Sequence, residues 1–330
     1  MVECIFTIDY EIYGNGDGSL GELIYEPAER LMAIFRKWNV RFVPFIEVAE
    51  LEMIETKVTD PAIDLVKNQI RDFYREGFEL GLHIHPQWYN AVYKDGRWLL
   101  DYGEYNLCIL PQERIVQIVD RSIAYLRDVL GEANFTPFSF RAGNWLFQPT
   151  QPAVKVLAAR GVKVDSSVFK GGRQQQHKLD YRRSEANGYF WRFRDDVNIP
   201  NQNGLLLEIP IYTLMVPFWE MATPKRVGLQ QKGFSVAQTG KAQLYRFLDF
   251  LRFSYPLKFD FCRMTINELT QMMEKIIKND ERDPTSFRPI VAIGHTKDLV
   301  DFETIEAFIC YLVDKKIKFS TFEKIYEKCV

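Results

Sequence analysis

Cysteine is scarce and scattered. The five residues, Cys4, Cys108, Cys262, Cys310 and Cys329, form no CxxC pair, which argues against a disulfide framework or a cysteine-built zinc site and favours a reducing compartment. Net charge is nearly absent: 42 basic residues face 44 acidic ones, so no bulk attraction to nucleic acid is expected. No stretch approaches the roughly 20 apolar residues that cross a bilayer. The opening segment MVECIFTID has no basic region ahead of an apolar run and does not read as a secretory signal; a cytoplasmic protein is expected. Gly14-Asn15-Gly16-Asp17-Gly18 lacks the following helix and lysine of a phosphate loop, which makes a nucleotide site a poor reading. Internal repeats and low-complexity linkers are also missing. One domain over residues 1–330 is therefore expected, a length that α/β barrels reach as a single unit.

What is present is an alternation of short apolar runs with amphipathic segments, the pattern of repeated β-then-α units. Strands are expected at Glu3–Asp9, Arg41–Ile46, Phe78–His85, Phe138–Arg141, Val162–Asp165, Leu205–Ile209, Phe259–Cys262 and Pro289–Ile293. Helices are expected after Glu26-Pro27, after Asp60-Pro61, from Pro111 to Gly131, and after Thr265, which with Glu268 has capping-box spacing. Residues 86–110 and 170–200 break the rhythm as insertions. In Phe78–His85, Phe78, Leu80, Leu82 and Ile84 share one face while Glu79, Gly81, His83 and His85 share the other. Such a polar face suits a barrel interior better than an open sheet sandwiched between helices.

Only four histidines occur, and three of them end apolar strands: His83 and His85 on one, His295 on another. Asp9 ends the first strand, and Glu11 shares its parity. In parallel α/β barrels catalytic groups collect at the carboxyl ends of strands. Two imidazoles two residues apart on a strand point the same way and can converge on one divalent ion. Arg141, at another strand end, can hold a carboxylate ionised through paired hydrogen bonds.

Thr7-Ile8-Asp9, then Gly81-Leu82-His83-Ile84-His85-Pro86, then Arg141-Ala142-Gly143-Asn144-Trp145, and last Gly294-His295 together resemble, in order, the motifs of the polysaccharide deacetylases, the NodB-like metal-dependent carbohydrate esterases. Gly161–Ser167 and Leu207–Pro210 are similar to the same family. The resemblance implies a distorted (β/α) barrel of about seven strands and removal of an N-acetyl group from an amino sugar. It further implies a divalent ion, zinc first, held by His83, His85 and a carboxylate from Asp9 or Glu11. Asp9 would be the base, Arg141 its partner, and His295 the acid that protonates the leaving amine. Carbohydrate is the implied partner, with Trp88, Asn144 and Trp145 as sugar contacts; the ring-rich segment from Trp88 to Tyr105 suits stacking on sugars. Two positions depart from the family pattern. Tyr10 stands where a second aspartate is usual, and Gln87 where a second histidine four residues on is usual. A barrel that binds glycans without chemistry, or a deformylase or amidase, are the alternatives these departures leave.

Overall fold

The computed structural model describes residues 1–221, 223–232 and 253–330. Its centre is a curled sheet of parallel strands. We label these β1 (Val2–Tyr10), β2 (Val43–Glu47), β3 (Gly81–Ile84), β4 (Ser139–Ala142), β5 (Val164–Asp165), β6 (Leu206–Glu208) and β7 (Arg288–His295). Their spatial order is β7-β1-β2-β3-β4-β5-β6. The curl comes round on itself where Ile211, just beyond β6, bridges Val291 of β7. The result is a distorted seven-stranded (β/α) barrel, closed by isolated bridges to β7, from Ile211 and from Asp260, rather than by a full ladder. Two further strands lie off this ring: Trp191–Phe193 runs antiparallel to β6, and Lys318–Phe319 pairs with β1.

Alternation along β1 decides which side chains see the barrel interior. Phe6 and Tyr10 point outward into the helix layer. Phe6 meets Phe35 of α1 (Glu26–Lys37) with ring centroids 5.3 Å apart, and Tyr10 meets Phe73 of α2 (Ile63–Arg75) at 5.8 Å. Thr7, Asp9 and Glu11 take the other side and are buried there. The same parity holds in β3, where Leu82 and Ile84 join the apolar core. One such core runs from Cys4 to Cys329.

The helices end where local chemistry dictates. Gly131 closes α3 (Gln112–Leu130) at φ 68°, in the left-handed region that glycine adopts without penalty. Thr265 and Glu268 form a complete capping box on the helix Ile266–Arg282. Both insertions contain small hairpins, Val92–Lys94 with Arg97–Leu99 and Arg173–Gln174 with Leu179–Asp180.

One expected strand is corrected. Phe259–Cys262 is not a barrel strand; the extended segment is Ser254–Lys258, which pairs with Thr213–Pro217 in a separate two-stranded antiparallel sheet. Asp260 then accepts hydrogen bonds from the backbone N–H groups of Cys262 and Arg263, turning the chain, and only Asp260 itself bridges β7. Among the described residues no helix is long and apolar enough to cross a membrane.

Candidate active site

Parallel register brings the polar strand ends together. Asp9 is level with His295, and Glu47, His83 and Arg141 form a row across β2, β3 and β4. Two groups result, both at the carboxyl end of the barrel.

In the first, Glu11 Oε2 lies 3.1 Å from His85 Nε2 and 3.4 Å from His83 Nε2, and the two Nε2 atoms are 3.2 Å apart. Three donors around one tetrahedral ion at ordinary zinc–ligand distances would stand about 3.3 Å from one another. The His83 Nδ1–H donates to the Arg141 carbonyl at 2.8 Å, so in the neutral imidazole, the form a cation would require, the Nε2 lone pair faces Glu11. His85 Nδ1 is flanked by the side-chain amides of Gln87, at 3.1 Å, and Asn144, at 3.3 Å. The Gln87 Oε1 is buried without a partner. An amide turned end for end keeps its shape, and it would give that oxygen the Nδ1–H and free Nε2 of His85 in the same way. Gln87, which departs from the family pattern, thus orients the neighbouring imidazole.

The pocket is built to hold positive charge. Burial works against an imidazolium at His83, yet Asp9 and the hydrogen-bonded Glu11 outweigh it and push its pKa up to about 9. Burial likewise opposes ionised Glu11, but Lys297 and the two imidazoles hold it well below the usual carboxylate range. Lys297 Nζ donates to Glu11 Oε1 at 2.7 Å, leaving Oε2 for the histidines. Glu11, His83 and His85 with these free atoms fit a divalent cation.

The second group is Asp9, Arg141 and His295. Arg141 is fully buried, and its Nη1 donates to Asp9 Oδ1 at 2.5 Å. Its Nη2 donates to Thr7 Oγ1 at 3.0 Å and its Nε to the Ser166 carbonyl at 2.9 Å, so the guanidinium is fixed on three sides. Burial raises the pKa of Asp9, but Arg141, His83 and His295 together bring it below its ordinary value. Asp9 Oδ2 lies 3.4 Å from His295 Nε2, and Asp298 stands 3.7 Å behind Nδ1. Burial lowers the pKa of His295, so its resting imidazole is neutral. Asp9 and Glu11 lie close together but contact different groups: Glu11 meets the imidazoles of His83 and His85, while Asp9 meets Arg141 and His295.

Beneath Arg141, Asp165 and Glu208 form a fully buried carboxyl pair joined by a hydrogen bond. Burial pushes both upward, Glu208 well above its usual range, so the pair retains a proton. Asp165 accepts from Ser167 Oγ, which in turn accepts from the Ala142 N–H, bracing the strand that carries Arg141.

Sugar contacts expected from the sequence fare unevenly. Trp88 is fully buried and stands edge-on to Trp98 at 5.1 Å, so it packs the insertion onto the barrel and offers no face to a ligand. Exposed rings on the same insertion belong to Tyr93 and Tyr102. Trp145 is partly buried beside His295, with ring centroids 5.9 Å apart, and Lys258 Nζ lies 3.2 Å from the centre of its ring. Asn144 adopts φ 55° and turns its amide toward His85. His177, unremarkable in the sequence, packs on Tyr105 at 4.7 Å and ties the two insertions together.

Sequence reasoning missed Glu47, Lys297 and Lys258. Glu47 carries the same signal as Asp9, a carboxylate at the end of an apolar strand, but the expected strand stopped one residue short of it. Lys297 shares the parity of His295. Lys258 lies in the two-stranded sheet that was not foreseen; protein atoms crowd its ammonium and, against the pull of Asp260, lower its pKa to about 7.

No protein-family model matches the sequence, and no curated protein is similar to it. Solved structures are. A Mycobacterium smegmatis protein assigned as a polysaccharide deacetylase is 16% identical with a TM-score of 0.53; the match covers 99% of this chain and 90% of that one. A second protein so assigned, from Pseudomonas aeruginosa PAO1, is 14% identical with a TM-score of 0.51, over 98% of this chain and 89% of the other. A GH57-type branching enzyme from Pyrococcus horikoshii is 10% identical with a TM-score of 0.56, over 98% and 70%. At such identities the likeness is one of fold, and it spans a deacetylase group and a glycan-branching enzyme.

Proposed function

We propose that this chain, which has the NodB-like fold of the polysaccharide deacetylases, is a metal-dependent hydrolase that removes the N-acetyl group from an amino sugar within a glycan or glycan precursor. The observation that carries the reading is the juxtaposition of two functional groups on one barrel rim: a set suited to a cation, Glu11, His83 and His85, adjoining a set suited to proton transfer, Asp9, Arg141 and His295, with Glu11 within 4.8 Å of donor atoms in both. A site that only bound glycan would have no use for a carboxylate held ionised by a buried arginine and facing a neutral imidazole.

When bound, a divalent ion such as zinc polarises the acyl carbonyl and lowers the pKa of a bound water toward about 7. Asp9, kept ionised by Arg141, accepts the proton of the attacking water. His295, 3.4 Å away and neutral at rest, takes that proton from Asp9 and delivers it to the departing amine. Asp298, behind Nδ1, stabilises the imidazolium while it lasts. Trp145 and Lys258 stand beside His295 and shape the side on which the sugar would lie, with Tyr93 and Tyr102 as the outer rings. The whole of residues 1–330 serves this one catalytic unit, in a cytoplasmic setting.

Acetate release from N-acetylated amino-sugar oligosaccharides tests the reading. Metal-loaded protein releases acetate, chelated protein does not, and reloading with zinc restores release. Asp9→Asn lowers the rate by about 100-fold or more, the scale of a lost general base, with metal content unchanged. Formate in place of acetate would redirect the substrate to a formylated sugar; tight glycan binding without release of either acid would make the chain a binding protein.

A further inference from the structure

We infer that Glu47 is a fourth protein ligand to the cation at the Glu11–His83–His85 site. This rests on the reading of that site as a metal centre and extends it. Glu47 is the last residue of β2, level with His83 on the neighbouring strand. It is fully buried, and its carboxylate lies in the same cluster as the donor atoms of Glu11, His83 and His85, all within 4.8 Å of one another.

The division of labour between its two oxygens points to a ligand. Oε1 accepts the backbone N–H of Glu50 at 3.3 Å and so caps the helix Val48–Lys57. A cap needs one oxygen. Oε2 is also buried and makes no hydrogen bond of ordinary geometry, the weak pull of the His85 N–H aside. A buried carboxylate oxygen without a partner is costly unless a cation or proton meets it. The neighbouring Glu50 shows the contrast: its carboxylate accepts the Ile12 N–H at 2.9 Å and stands outside the cluster.

Charge balance gives a second reason. Lys297 shares Glu11, so Glu11 alone does not neutralise a divalent ion in a pocket that also holds Arg141. With Lys297 paired to Glu11 and Arg141 to Asp9, an ionised Glu47 supplies a negative charge that neither side-chain cation already offsets. The donor set becomes two imidazoles and two carboxylates, a mixed nitrogen and oxygen site suited to zinc, iron or manganese.

The test is chelator competition for Zn²⁺ on full-length, metal-stripped protein, with the melting temperature of the metal-free form measured alongside. Glu47→Gln keeps the cap oxygen and the shape. Its metal-free form melts at or above the wild-type temperature, while its Zn²⁺ affinity falls by roughly 10- to 100-fold, the scale seen when groups supporting a metal site are removed. Glu50→Gln leaves affinity within about twofold. Undiminished Zn²⁺ affinity in Glu47→Gln would overturn the inference and leave the three-ligand site standing. A wild-type protein that binds no Zn²⁺ would overturn the metal reading itself, and this inference with it.

Discussion

Tyr10 shows how one side chain can depart from a family pattern without emptying the site. Its hydroxyl donates to Gln69 Oε1 at 2.5 Å and its ring lies against Phe73, so position 10 belongs to the helix layer. On a strand, the next chance to place a carboxylate beside Asp9 is two residues on, where Glu11 stands. His85 follows His83 by the same step, so both pairs, Asp9 with Glu11 and His83 with His85, obey the alternation of a strand. Glu79, at the other end of the β3 segment, tests burial at single-residue resolution. Burial raises its pKa to about 7 from 4.5, although Ser139 and the Glu323 N–H both donate to it. Between those two values the folded state binds the extra proton, so stability falls as pH rises through the window and the loss is complete above it. At 1.36 kcal/mol per unit, the full cost is about 3 kcal/mol. Glu79→Gln, which can donate to Ser139 and accept from Glu323, therefore stabilises the protein at pH 8 by about 1–3 kcal/mol more than at pH 5. Urea unfolding at both pH values measures this; an equal effect at the two would refute it.

At the scale of elements, the strand ends were the legible part of the sequence and the connections were not. The apolar runs ending in Asp9, His83, His85, Arg141 and His295 gave the barrel and most of the site, because a buried parallel strand must be apolar until it reaches the rim. Glu47 was lost to a one-residue error at the end of β2, the place where sequence patterns are weakest. Trp88 could not be assigned from composition, since an aromatic residue in an insertion can fill space or face solvent, and only packing against Trp98 decides. Phe259–Cys262 looked like a strand because Phe259, Phe261 and Cys262 are apolar, but Asp260 bends the backbone by capping its own turn. One connection matters directly to the site. Gly143 follows β4, and a Cβ there would stand 2.6 Å from the Ile84 carbonyl and 2.8 Å from the His85 ring. Gly143→Ala must move backbone or imidazole, costing about 1–3 kcal/mol of stability. It also lowers zinc affinity by at least about tenfold, measured by chelator competition. Unchanged affinity would mean that His85 is not held in place by this close approach.

For the molecule as a whole, the account makes the barrel rim a place where buried like charges are tolerated because a cation joins them. Asp9, Glu11 and Glu47 are all buried at one end of a ring that closes through isolated bridges. Metal bound only by the folded state stabilises it by mass action, about 2.7 kcal/mol at a hundredfold excess over the dissociation constant. Chelation is therefore expected to lower the melting temperature by several degrees, and zinc to restore it, as followed by calorimetry. The most direct measurement is an anomalous-difference map from crystals soaked in Zn²⁺. The account predicts one strong peak at about 2.0–2.2 Å from Glu11 Oε2, His83 Nε2 and His85 Nε2, with Asp9 on the Arg141 side of the ion. A peak elsewhere, or His83 and His85 hydrogen-bonded to each other with no metal between them and Glu11, would contradict it.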